Sequence, residues 1–159
     1  MRGRVISEQD ERSLVSDLAE RAVGTAAPEE LVLFAETADD YFRDPKASLR
    51  ADGRDEVVGF GLELAMLTPC VLAVATAVVQ LLVTVVQESV QEEVKPPIVQ
   101  LMRRMLRREG APPEDVPALT DAQRRRVRDT AYDRAQNLGL DEGRARLLAD
   151  AVVGGLALG

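Results

Sequence analysis

The sequence predicts an all-α protein of about six helices around one long apolar helix, roughly residues 57–93, with an αα-hairpin at the carboxy terminus. Three observations predict it. Aromatic residues make up 3% of the chain and tryptophan is absent, so the core must be built from Leu, Val and Ala. Such a core suits helix-on-helix packing better than a sheet. An uncharged run of 24 residues, Leu64 to Gln87, is too long for a strand and contains no turn signal. Finally, helix start and stop residues recur along the chain at intervals that leave room for short amphipathic helices.

The first helix starts at Ser7, an N-cap residue followed by acids that suit the positive end of the helix dipole. Leu14, Val15, Leu18 and Ala22 recur at helical spacing, and Gly24 closes the segment. Pro28 is placed for the first turn of a second helix. Its expected apolar stripe is Leu31, Phe34, Ala35, Ala38 and Phe42, ended by Asp44-Pro45. Residues 43–56, rich in Arg and Asp, read as an exposed loop. In the long apolar segment Pro69 predicts either a kink or a late helix start, and Pro96-Pro97 forces a break.

A short amphipathic helix follows over 98–108. Ile98, Leu101, Met102 and Met105 share one side, and Arg103, Arg104, Arg107 and Arg108 form a cationic flank. This pattern fits an anionic membrane surface, a partner groove, or ordinary packing on the protein. Residues 111–119 contain three prolines and read as a linker between a helical region, 1–110, and a terminal hairpin, 120–159. In that hairpin Thr120 and Gln123 have capping-box spacing, Gly139 marks the turn, and Asp141 caps the last helix.

The residues that usually carry chemistry are scarce. Histidine is absent, which removes the commonest general base and metal ligand. Cys70 lies inside the apolar run and reads as a small hydrophobe. Acid pairs such as Asp39-Asp40 point in different directions on a helix, so no metal site is expected from them. The expectation is a non-enzymatic protein with no cofactor, no metal and no catalytic residue. The first 63 residues hold 15 acids against 8 bases, which argues against a nucleic-acid partner. Arg124, Arg125, Arg126 and Arg128 would suit phosphate contact, but the helix after the turn begins Asp141-Glu142 and would meet the phosphates with acids.

Two readings of the apolar helix remain. A 24-residue helix extends about 36 Å, enough to cross a hydrocarbon core of about 30 Å. Against a simple span, no Trp or Tyr flanks the run, and basic residues occur on both sides of it. Thr76, Gln80, Thr84, Gln87 and Gln91 also form a narrow polar stripe. That stripe suits a helix–helix seam, the lining of a pore, or the edge of a soluble core helix. The first expectation is therefore a small membrane-associated helical protein that meets protein partners, its non-inserted parts cytoplasmic. The second is a soluble, cytoplasmic helical adaptor or assembly subunit in which the apolar helix is a buried core or an oligomer seam. In both, the expected partners are another protein or a second copy. The amino terminus carries no apolar stretch typical of a cleaved signal.

Overall fold

The computed structural model describes residues 7–50, 67–89 and 120–156. Within these, all regular structure is helical: six α-helices and one 3₁₀ segment, with no strand among the described residues. The helices are α1 (Glu8–Ala26), α2 (Phe34–Arg43), α3 (Pro45–Arg50), α4 (Thr68–Ser89), α5 (Asp121–Asn137) and α6 (Glu142–Gly155); the 3₁₀ segment, Pro28–Leu33, joins α1 to α2. The linker 111–119 and the basic segment 98–108 lie outside the described residues.

Local chemistry sets most of the ends. The Ser7 side chain accepts from Asp10 N at 3.0 Å and opens α1. At α5 the capping box is complete: Thr120 accepts from Gln123 N at 3.0 Å, and Gln123 accepts from Thr120 N at 2.9 Å. Gly139 takes φ 102° in the turn to α6, a left-handed conformation that glycine adopts without a Cβ penalty. Asp141 then accepts from Arg144 N at 2.8 Å. The segment expected to be a loop after Arg43 contains α3. Asp44 both ends α2 and starts α3, accepting from Ala47 N at 3.2 Å, while Pro45 occupies the first turn.

One hydrophobic cluster joins α1, α2, α4, α5 and α6. The hairpin α5–α6 is the most extensive pairing, and its two helices also pack on α1 and α4. Helix α4 lies at the centre. Every residue from Cys70 to Ala75 is buried, as are Val78, Val79, Leu82 and Val85. Cys70 is thus part of the packed interior. Complete burial of a Leu such as Leu72 contributes roughly 1.5–3 kcal/mol. α5 contributes a narrow strip, Val127, Ala131 and Ala135, small enough for close approach to its neighbours.

The structure decides between the two expectations at Pro69 and shifts the register of one apolar stripe. The described apolar helix begins at Thr68, after a bend at Leu67, so within the expected 57–93 span Pro69 marks a late start. Leu67 O accepts from Val71 N at 2.9 Å, which places Pro69 in the first turn, where no backbone N–H is needed. In the second helical region Phe34, Ala38 and Tyr41 face the core, Phe42 is half-buried, and Leu31 and Ala35 are exposed. The 3₁₀ segment turns every 3.0 residues where an α-helix needs 3.6, and this rotates the stripe that an unbroken α-helix would present.

Candidate functional site

Of the polar stripe of α4, the fold sets Thr76 against α2 and Gln80 against α1 and leaves Thr84 exposed. Thr76 is half-buried and donates its hydroxyl to Leu72 O at 2.8 Å. Thr84 is exposed and does the same to Gln80 O at 3.3 Å. Both threonines satisfy themselves on the preceding turn of their own helix. Gln80 reaches outward: its Nε2 donates to Glu11 Oε2 of α1 at 3.2 Å. The side chain of Gln87, together with Gln91 and the four arginines Arg103, Arg104, Arg107 and Arg108, falls outside the described side chains.

Tyr41 of α2 meets the same side of α4. Burial raises its phenol pKa above the usual 10.0, while a hydrogen bond with Thr76 and the charge of Arg134 pull it down and Cys70 adds to the rise. The phenol is therefore neutral and acts as a packing group with a hydrogen-bonding tip.

The amino-terminal end of α4 is organised by a residue the sequence reading passed over. Glu30, in the 3₁₀ segment, accepts from Leu67 N at 3.0 Å, from Thr68 N at 2.9 Å and from the Thr68 hydroxyl at 2.6 Å. Thr68 is fully buried. Leu67 occupies the N-cap position and offers no side-chain acceptor, so a carboxylate from 37 positions earlier supplies it. The negative charge also sits at the positive end of the helix dipole. A buried polar start without a local cap was the available signal; the identity of the distant acceptor was not.

Between α1 and α2 lies an open groove of about 640 Å³, lined by Arg12, Ser13, Ser16, Asp39, Phe42 and Arg43 among others. The Arg12 guanidinium lies 5.6 Å from the centre of the Phe42 ring and 3.9 Å from Glu8. Arg43 pairs with Asp40 at 3.0 Å. Both guanidiniums thus have an acidic partner on their own helix, and the groove presents mixed polarity suited to reversible polar contact. Among the described residues no group of three or more potential metal ligands comes together.

On the hairpin, Arg124 pairs with Asp121 at 2.9 Å and Arg128 with Asp150 of α6 at 2.7 Å. Arg124 and Arg128, which would face phosphate, are therefore engaged with carboxylates. In comparisons with known proteins, no family model, no curated protein and no solved structure matches this chain.

Proposed function

We propose that this chain is a non-enzymatic helical adaptor or assembly subunit, in which the apolar helix serves as the core of the bundle and the outer helices meet a protein partner. The observation that supports this reading is the cover on α4. Thr68–Val85 has a mean hydropathy of 2.1, yet 67% of it is buried by other parts of the same chain. Its polar atoms agree: Thr76 and Thr84 bond within α4, and Gln80 bonds to α1.

A second reading rests on the same hydropathy and length. The bundle would release α4 into a bilayer, and the chain would work as a membrane-associated protein with partner-binding helices outside the lipid. One fractionation separates the two. The adaptor reading expects the native protein in the supernatant without detergent, as a monodisperse species that does not float with anionic liposomes. Recovery only with detergent, after both high salt and carbonate have failed, overturns it in favour of insertion.

A further inference from the structure

The 3₁₀ segment that caps α4 also leaves three successive large apolar side chains uncovered. Leu31, Val32 and Leu33 are 39%, 83% and 49% exposed, and among the described residues only Leu147 is another large hydrophobe so exposed. The exposure follows from the cap. Glu30 points its carboxylate at Leu67 and Thr68, so the residues beside it on a tight turn are carried outward. Leu31 leans over α1, where its Cδ1 would lie 3.8 Å from a Cβ built on Gly24.

Between Gly24 and Phe42, the stretch that carries this apolar step, every charged side chain is acidic. Glu29 precedes Val32 by three residues, one turn of a 3₁₀ segment, while Glu36 follows by four and Asp39 by seven on α2; all are exposed. The next cation along the chain, Arg43, is already paired with Asp40. An acidic rim repels anionic lipid headgroups. It also disfavours a second copy seated symmetrically on the same face, because a two-fold contact sets each patch against itself and acid against acid. The occupant that complements it has an apolar ridge flanked by cations.

We propose that Leu31–Leu33, with Glu29, Glu36 and Asp39, is a docking surface for a basic amphipathic helix of a partner protein. The partner's apolar ridge covers Val32, and its Lys or Arg side chains meet the three carboxylates. This inference rests on the adaptor reading and supplies that reading with a partner class and a surface.

The test uses the full chain and a labelled 18-residue amphipathic peptide of leucine and lysine, followed by fluorescence anisotropy. Saturable one-to-one binding is expected, weakening as salt is raised. Val32→Asp should lower affinity about tenfold, the size of effect that loss of a central anchor produces. Because this substitution adds negative charge, attraction by charge alone predicts tighter binding; an unchanged or stronger interaction overturns the proposal. Glu36→Lys should weaken binding, whereas Asp129→Lys on α5 should leave it unchanged, and equal loss in both also overturns it. Absence of saturable binding does the same, as does capture by anionic vesicles in place of the peptide. Self-association of the wild type that Val32→Asp abolishes would assign the surface to a second copy and end the proposal. A chain that is monodisperse without detergent yet ignores the peptide loses only this surface; a chain that needs detergent loses the adaptor reading itself.

Discussion

The two halves of α4 belong to one apolar helix and differ in what surrounds them. From Cys70 to Ala75 no residue reaches solvent appreciably, because α1, α2 and α5 close around the helix. From Gln80 onward the cover thins: Gln80 and Thr84 are exposed, and Leu81 and Val83 are only partly buried. An apolar helix is therefore not one environment. Its first half behaves as the interior of a bundle, whereas its second half behaves as a flank, stabilised by Val85 and Leu82 on one side and by Gln80–Glu11 on the other.

Substitutions at matched positions sharpen that contrast. Val74→Asp places an unpaired carboxylate where no water reaches, and it should abolish cooperative unfolding or cost more than about 4 kcal/mol in urea denaturation. Val83→Asp, on the flank, should cost under about 3 kcal/mol and leave a cooperative transition. Equal losses at the two sites would erase the distinction between interior and flank. Leu72→Ala removes packing without adding charge, and its expected cost is about 2–5 kcal/mol, read from the urea midpoint at unchanged slope.

The amino-terminal end is more sensitive to polar chemistry. Glu30→Ala strips the acceptors from Leu67 N and Thr68 N and should cost about 1–3 kcal/mol, with hydrogen exchange fastest in the first turn of α4. Tyr41 gives a pH signature. Its pKa is raised in the folded protein, so above pH 10 the unfolded chain loses this proton first and stability falls as pH rises. Tyr41→Phe should flatten that alkaline decline, measured as the unfolding midpoint between pH 9 and 11. The smallest effect belongs to Gln80→Ala, under about 1 kcal/mol, because the exposed Gln80–Glu11 contact competes with water.

What the sequence made legible follows the range of each interaction. Ser7, Thr120 with Gln123, Gly139 and Asp141 act on backbone within a few residues, and each ends or begins a helix as its chemistry predicts. The all-α class and the central apolar helix were legible for a related reason: composition and an uncharged run constrain packing without reference to a partner. Asp44 was read only as a stop, although the same carboxylate can open the next helix. The 3₁₀ turn escaped because Pro28-Glu29-Glu30 is equally good at starting an α-helix. Glu30 was illegible as a cap, since its acceptor role appears only once residues 37 positions apart are brought together. The exposure of Leu31 was hidden with it, because unbroken α-helical spacing turns that residue inward.

The closure of α1 on α6 ties the earliest described helix to the last. During synthesis α4 emerges before the α5–α6 hairpin, which packs on it through α5. At roughly 5–20 residues per second, the stretch from Ser89 to Gly155 takes on the order of 3–13 s to make. For that interval, among the described helices, α1, α2 and α3 are the ones already made that pack on α4. A chain truncated before α5 should then be a client of holdase chaperones, because α5 supplies the cover on one side of α4.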